Sequence, residues 1–264
     1  MYLYHKIIKS NKLNAEWVIM VHAIGSNHNN FKKQISEFSE NYNLLLLDLR
    51  GHGMTKNLLL SDSKEKILEV PAKDIIELMD KLYIEKAHFV GISLGSMVIS
   101  QIALTNPERI ISMVLGGGIV RYVWKGRFLL FLGKLTKKFI PYMFTYTLFA
   151  YAVIPNKKHK ISRKFFIEEA KKLGTKEFLA WVNIIETFEK TYPIDRIKMI
   201  SIPKIYIMGE YDHMFLPPVK KYIEKNENTE ICILPNCGHI CNIDDSYEFN
   251  RVAIQFMKNY TVQY

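Results

Sequence analysis

Residues 89–97 read Phe-Val-Gly-Ile-Ser-Leu-Gly-Ser-Met, and this stretch decides the predicted fold. The apolar run that ends at Val90 has the length of a buried strand. Beyond it, apolar residues recur at the three- and four-residue spacing of a helix: Leu94, Met97, Val98 and Ile102. Between strand and helix lies Gly91-x-Ser93-x-Gly95, where so short a turn forces the serine backbone into strain and needs small neighbours two positions away.

This arrangement raises the Ser93 hydroxyl on a sharp turn above a helix N-terminus, whose N–H groups lack partners. A glycine-x-serine-x-glycine motif also arises by chance, so the alternative is a structural serine in a glycine-rich turn. In its strand–turn–helix context, the motif predicts a nucleophile at Ser93.

The rest of the chain alternates apolar runs with helical patterns, and helices are predicted at about residues 29–40 and at residues 74–83. A weakly alternating edge strand is predicted at residues 2–8. Continuous apolar runs, typical of buried strands, lie at residues 16–22, 44–47, 87–90, 110–115, 204–208 and 229–234. Strands that are apolar throughout are usually covered on both faces, as in a parallel sheet. The sequence therefore predicts an α/β fold with a mostly parallel, doubly wound sheet.

The alternation stops between residues 119 and 192, where the pattern is helical only. Helices are predicted there at residues 128–140, 142–153, 162–173 and 176–188. We therefore expect a core formed by residues 1–118 and 193–264, with residues 119–192 inserted as a helical cap.

The net charge of +10 is concentrated in this cap. Residues 118–191 hold 15 Lys or Arg against 5 Asp or Glu, which leaves 21 of each sign elsewhere. A charge confined to one insertion argues against a nucleic-acid-binding protein. Two interpretations remain open: the lysines form a solvated face over an apolar cap that roofs the site, or they bring the cap to an anionic membrane or acidic substrate. Residues 139–154 are too short an apolar run to span a bilayer.

The three cysteines, Cys232, Cys237 and Cys241, give no disulfide framework. They also lack the paired spacing of a zinc site, so no metal is expected. No phosphate-binding loop or dinucleotide fingerprint follows any predicted strand, so no cofactor is expected either. The N-terminal residues do not resemble a secretory signal, and we expect a cytoplasmic protein.

Two polar residues at strand ends could activate a serine nucleophile. Asp212 follows the predicted strand at residues 204–208, and His239 follows the one at residues 229–234. The carboxyl ends of parallel strands meet at one edge of a sheet, where α/β proteins place their sites. The order Ser93, Asp212, His239 is that of a serine hydrolase built on a strand–turn–helix nucleophile. Glu210 is the competing acid.

Acyl transfer also needs donors for the oxyanion of its tetrahedral intermediate. The Leu94 N–H is free at the helix start, and we expect the second donor to be the Ile24 N–H in the loop after the second strand. In the same loops, His22 is expected to brace the oxyanion loop and His52 to be structural.

These residues resemble the α/β-hydrolase superfamily, of the esterase and lactonase-like type with a helical cap. The matching segments, which span most of the predicted core, are His22-Ala23-Ile24-Gly25, Asp48-Leu49-Arg50-Gly51-His52-Gly53, Gly91-Ile92-Ser93-Leu94-Gly95, Asn106-Pro107-Glu108-Arg109, Gly209-Glu210-Tyr211-Asp212 and Gly238-His239. The resemblance implies hydrolysis through an acyl-enzyme. Relatives that open epoxides or displace halides have Asp where this chain has Ser93.

We therefore predict a serine hydrolase that cleaves carboxylic esters of small-to-medium apolar acyl groups. Thioesterase, lipase-like, lactonase and peptidase activities stay open, since all use the same chemistry. A different class of protein, a small-molecule receptor or signalling protein, could keep the same pocket with slow or absent turnover.

Overall fold

The computed structural model describes residues 2–64, 67–121, 141–191, 200–224, 226 and 229–261. In these residues the sheet has seven strands: β1 (His5–Ile8), β2 (Trp17–Val21), β3 (Asn43–Leu47), β4 (Ala87–Ile92), β5 (Ile110–Gly116), β6 (Lys204–Gly209) and β7 (Thr229–Leu234). Their order is β1-β3-β2-β4-β5-β6-β7, and only β1 runs antiparallel to its neighbour. The predicted α/β fold with a mostly parallel sheet is confirmed.

Burial along the strands follows their place in the sheet. Every residue of the inner strands β4 and β6 is buried, which is why their sequences are apolar with no alternation. At one edge of the sheet, β7 buries fully only its first and last residues, Thr229 and Leu234. The loops at the carboxyl ends of β4 and β6 thus begin from strands that are buried along their whole length.

Helices connect and cover the strands: α1 (Ile35–Ser39), α2 (Glu69–Lys81), α3 (Leu94–Thr105), α4 (Tyr142–Val153), α5 (Lys160–Ala170), α6 (Thr175–Thr191), α7 (Leu216–Ile223), α8 (Cys241–Asp244) and α9 (Ser246–Lys258). Helix α2 begins five residues before the predicted start at residue 74 and contains Pro71 in its first turn. A proline is tolerated there because the N–H it lacks would have no partner within the helix.

The single helix predicted from about residue 29 to residue 40 was wrong. The chain forms a 3₁₀ turn at His28–Phe31 and then the short helix α1. The turn is held by side chains: Asn27 accepts from the Asn29 N–H at 2.9 Å, and Asp48 accepts from the His28 N–H at 2.7 Å. Apolar periodicity does not report such capping contacts.

Between β5 and β6, the described residues form helices and no strand. Helix α4 has the predicted bounds, and α5 begins two residues earlier than predicted. The helix predicted at residues 128–140 lies outside the described residues. So does the second boundary of the predicted cap, at residue 192, and the division into core and cap stays a prediction.

Helix α6 is fixed against the loop that follows β3. Buried Glu177 accepts hydrogen bonds from the Leu60 N–H at 2.7 Å and the Ser61 N–H at 2.9 Å. Gly51 has φ +70°, and a Cβ there would lie 2.3 Å from the Glu177 Cγ, so this close approach requires glycine. The indole N–H of Trp181 donates to the Arg50 carbonyl at 3.2 Å. These contacts hold α6 over the carboxyl edge of the sheet.

Candidate active site

Ser93 lies in a tight turn between β4 and α3. Its φ of +52° is rare for a residue with a side chain, and its N–H donates to the Gly116 carbonyl at 2.9 Å. A Cβ at Gly91 would lie 2.4 Å from the Ile99 Cδ1, and one at Gly95 would lie 2.0 Å from the Val21 carbonyl oxygen. Both positions flanking the serine therefore need glycine, because the backbone of β2 and the first turns of α3 pass against them.

The structure brings together the three side chains that the sequence singled out. The Nε2 atom of His239 lies 2.9 Å from the Ser93 Oγ, and its Nδ1 lies 2.7 Å from the Asp212 Oδ2. All three side chains are buried. The other Asp212 oxygen accepts from the Phe215 N–H at 3.1 Å, which fixes the carboxylate. With Nδ1–H donating to Asp212, Nε2 is left to accept the Ser93 hydroxyl proton.

The competing acid, Glu210, lies elsewhere. It is exposed at the end of β6, and its carboxylate accepts from the Asn236 N–H at 3.0 Å. The residue hydrogen-bonded to His239 is therefore Asp212, two positions further along the same loop.

The two expected oxyanion donors lie on either side of the turn. Leu94 is the first residue of α3, where backbone N–H groups have no partner within the helix. Ile24 lies in the loop after β2, and neither its N–H nor that of Leu94 has a hydrogen-bond partner among the described residues. Tyr146 of α4 donates its hydroxyl proton to the Ile24 carbonyl at 3.4 Å. Whether these N–H groups bind an oxyanion stays a prediction.

Two buried histidines hold the same loop. The Nδ1–H of His22 donates to the Ala23 carbonyl at 2.8 Å while its Nε2 accepts from the Leu49 N–H at 3.0 Å. The Nε2 of His52 accepts from the Gly25 N–H at 3.0 Å. Both rings are neutral, because an Nε2 that accepts a backbone N–H bond carries no proton. His22 has the bracing contacts expected from the sequence, and His52 contributes a second set.

Burial keeps both rings uncharged at low pH. It lowers the pKa of His22 to about 4 and, with the neighbouring His22 ring, that of His52 to about 3. In the unfolded chain, both pKa values return to about 6.5, so acid favours the unfolded state. The contribution of these two neutral rings to folding stability is therefore fully present above about pH 6.5, and it falls as the pH drops below that value.

We expect the free energy of unfolding to fall by about 2 kcal/mol for each of these histidines between pH 7 and pH 5. Urea unfolding at a series of pH values would measure this slope. His52→Gln is expected to be less stable at neutral pH but to have a flatter slope, since one of the two groups is gone. An unchanged slope in that variant would contradict the assignment of His52 as a buried neutral ring.

A cluster missed by the sequence analysis ties the His239 loop to α5. The Oδ2 atom of Asp244 accepts from the Gly238 N–H at 2.8 Å and lies 3.0 Å from the His159 Nδ1. Its Oδ1 accepts from the Ser162 hydroxyl at 2.6 Å. The loop that carries His239 is thus attached to the N-terminal part of α5 through one buried carboxylate. No local pattern marks this cluster, because its members lie 82 residues apart.

The three cysteines are free. Cys241 donates its thiol proton to the Ile207 carbonyl at 3.2 Å, and burial raises the pKa of Cys237 to about 12. In the part of the chain that the structure describes, no three His, Cys, Asp or Glu side chains are grouped to hold a metal ion.

Known proteins resemble this chain over most of its length. The alpha/beta hydrolase fold family matches residues 16–145. The 3-oxoadipate enol-lactonase 1 of Acinetobacter baylyi is 20% identical and aligns with 93% of this chain and 90% of its own. A 2-hydroxy-6-oxononadienedioate/2-hydroxy-6-oxononatrienedioate hydrolase of Paraburkholderia xenovorans is 25% identical over 92% and 87%, respectively.

Solved structures show the same fold. The enol-lactonase from Burkholderia xenovorans LB400 superposes with a TM-score of 0.78, at 19% identity, over 97% of this chain and 96% of that one. The chain has the α/β-hydrolase fold, and its residues 16–145 match the family of that name.

Proposed function

We propose that the protein is a serine hydrolase that cleaves carboxylic esters of small-to-medium apolar acyl groups. The observation that supports this most directly is the chain of hydrogen bonds from Ser93 through His239 to Asp212, at 2.9 and 2.7 Å. A serine hydroxyl becomes a useful nucleophile only when a base takes its proton and an acid orients that base. The fold supplies both from the carboxyl ends of neighbouring strands.

In the proposed reaction, the Ser93 Oγ attacks the ester carbonyl while His239 Nε2 takes the hydroxyl proton. Asp212 holds the imidazole in the required tautomer and stabilises the imidazolium. The Ile24 and Leu94 N–H groups bind the oxyanion. The imidazolium then gives its proton to the leaving alcohol, which leaves an acyl group on Ser93. Water, deprotonated by His239, attacks this ester and releases the carboxylic acid.

Aromatic side chains next to the oxyanion loop favour an apolar acyl group. The buried Tyr146 ring packs against Phe166 and Phe178, with centroids 5.0 and 5.6 Å apart. A Cβ at Gly25 would lie 3.0 Å from the Ala170 Cβ, so α5 also closes over this loop. Pockets lined by aromatic and aliphatic groups bind acyl chains by removing apolar surface from water.

Lactone hydrolysis is the second candidate, and two enol-lactonases among the similar proteins favour it. A lactone is an internal ester, so the same three side chains would open the ring and release the acid. The hydrolase of Paraburkholderia xenovorans is named for a different substrate, so similarity alone does not choose among these reactions.

A fluorophosphonate probe, which labels activated serines, tests the proposal. We expect labelling of the wild type and none of Ser93→Ala. Ser100→Ala is the matched control, since it removes another buried hydroxyl of α3, and should be labelled normally. Labelling that persists in Ser93→Ala would reject the nucleophile.

A substrate panel then separates the candidates. For p-nitrophenyl esters from acetate to octanoate, we expect kcat/KM to rise with acyl length before it levels off, since each buried methylene contributes about 0.8 kcal/mol. A simple aliphatic lactone would be the best substrate if the second candidate is correct. A labelled protein that turns over no ester or lactone would instead favour the receptor alternative, and equal rates across the series would contradict the apolar pocket.

A further inference from the structure

Helix α4 exposes apolar side chains although one of its sides is buried. Its twelve residues include no charged side chain. Tyr146, Ala150 and Val153 pack inward, whereas Phe144, Leu148 and Tyr151 are 56%, 50% and 53% exposed. The spacing of these three places them on one side of the helix. Helices without charge are normally buried all round, so this exposed strip calls for a partner.

Basic side chains lie beside this strip. Lys157, Lys158 and Lys160 are exposed just beyond the end of α4, and Ile161 among them is 79% exposed. No Asp or Glu occurs between residues 141 and 167, and the structure gives these three lysines no ion pair among the described residues. A partner that binds this surface must therefore offer both apolar groups and negatively charged groups.

Arg163 joins the basic segment to the strip. Its guanidinium lies 4.3 Å from the centre of the Tyr151 ring and donates to the Ile154 carbonyl at 2.6 Å. Because Arg163 is buried, it acts as a brace. Arg163 thus fixes the first turn of α5, which carries Lys160 and Ile161, against the C-terminal end of α4.

We propose that this side of the molecule docks onto the surface of an anionic lipid bilayer. The docking surface consists of Phe144, Leu148, Tyr151 and Ile161 with Lys157, Lys158 and Lys160. Its apolar side chains would enter the boundary between headgroups and acyl chains, while its lysines contact anionic headgroups.

The helix would lie on the bilayer and not cross it. Twelve residues of α-helix extend about 18 Å, well short of the hydrocarbon core. Prolines stand at both ends, Pro141 before the helix and Pro155 after it. Throughout the described residues, no helix has the length and apolar character needed to span a membrane.

Docking would bring the bilayer next to the candidate active site. Tyr146, on the inner side of the same helix, donates to the Ile24 carbonyl in the loop that holds a predicted oxyanion donor. The apolar part of the docking surface thus lies on one side of α4, and the oxyanion loop contacts the opposite side. Bilayer binding itself does not depend on the proposed hydrolysis, so it can be tested in Ser93→Ala.

Vesicle co-sedimentation of the full chain tests the proposal. We expect binding to vesicles of phosphatidylcholine with 30% phosphatidylglycerol, weaker binding to phosphatidylcholine alone, and a loss of binding as NaCl is raised from 0.05 to 0.5 M. Failure to bind the anionic vesicles at low salt would overturn the proposal. Binding that is equally strong to neutral vesicles would overturn the part assigned to the lysines.

Two variants with matched controls locate the surface. Lys157→Gln with Lys158→Gln should weaken partition about 25-fold, at roughly fivefold for each lysine. Lys220→Gln with Lys221→Gln, an exposed pair in α7, removes the same charge elsewhere and should change partition little beyond a general loss of net charge. Equal losses in both pairs would show attraction by net charge alone and would overturn the assigned surface.

Leu148→Ser should weaken partition roughly tenfold, since it removes one inserted apolar side chain. Leu13→Ser is its control, because Leu13 is 86% exposed and far along the chain. Circular dichroism and thermal unfolding would show that both variants fold. Sedimentation without lipid tests whether a second copy of the chain covers this surface instead. A wild-type dimer that Leu148→Ser converts to a monomer would overturn lipid docking in favour of self-association.

Discussion

Replacement of Ser93 by alanine is expected to lower kcat/KM for ester hydrolysis by about a millionfold, because the proposed mechanism needs the three hydrogen-bonded side chains as one unit. Removing the hydroxyl leaves His239 and Asp212 with no nucleophile to activate. The measurement is the initial rate on the best p-nitrophenyl ester of the panel. Ser100→Ala should stay within about twofold of the wild type, since among the described residues its hydroxyl donates to the Ser96 carbonyl within α3 and not to the candidate site. A loss below about a hundredfold in Ser93→Ala would mean that another group attacks the ester.

Glycine at the same position provides a second, independent measurement. Ser93 has φ +52°, a conformation that costs about 1–3 kcal/mol for a residue with a Cβ but little for glycine. Ser93→Gly should therefore be as inactive as the alanine variant yet more resistant to urea than that variant by about 1 kcal/mol. Equal stability of the two variants would indicate that the turn stores no strain.

The fold and the grouping of Ser93, Asp212 and His239 were predictable because their signals are local. The turn at Ser93 needs two glycines within a few residues, and the structure shows a backbone neighbour against each of them. Asp212 and His239 could be selected because each follows an apolar run that is a strand, and strand ends converge in a parallel sheet. Neither inference requires the path of the chain between the strands.

The contacts between the helical segment and the core could not be predicted in this way. Asp244 bonds to Ser162 and His159 across about eighty residues, and Glu177 reaches backbone N–H groups more than a hundred residues away. Such carboxylates resemble any surface acid in sequence. Only the packing of α5 and α6 on the core shows that these carboxylates are buried and that both oxygens of each accept hydrogen bonds.

The exposed side of α4 shows the reverse problem. Its uncharged sequence favours a buried helix that lines the roof of the site, and Tyr146 and Ala150 do pack inward. Sequence periodicity cannot show which of these apolar residues stay exposed to solvent, because the helix is apolar on every side. The structure separates an inner face, bonded to the oxyanion loop, from the outer strip of Phe144, Leu148 and Tyr151. The proposed docking surface rests on this separation of the two sides of α4.

Asp212→Asn is expected to lower kcat by about 10⁴-fold with little change in KM. The asparagine amide can donate to His239 Nδ1, which would move the imidazole proton to Nε2 and leave no acceptor for the Ser93 hydroxyl. Its carbonyl oxygen can still accept from the Phe215 N–H, so the loop should keep its shape. Steady-state kinetics on the same ester, with thermal unfolding to verify folding, measures both effects.

Glu210→Gln is the matched control, since it makes the same chemical change two residues away. The glutamine carbonyl can replace the carboxylate oxygen that accepts from the Asn236 N–H, and Glu210 is exposed, so its removal should cost less than about twofold in kcat. The opposite pattern, with a large loss in Glu210→Gln and a small one in Asp212→Asn, would mean that the loop rearranges before catalysis and that Glu210 orients the histidine. Because both residues follow β6, the comparison separates the chemistry of the carboxylate from the stability of the loop that carries it.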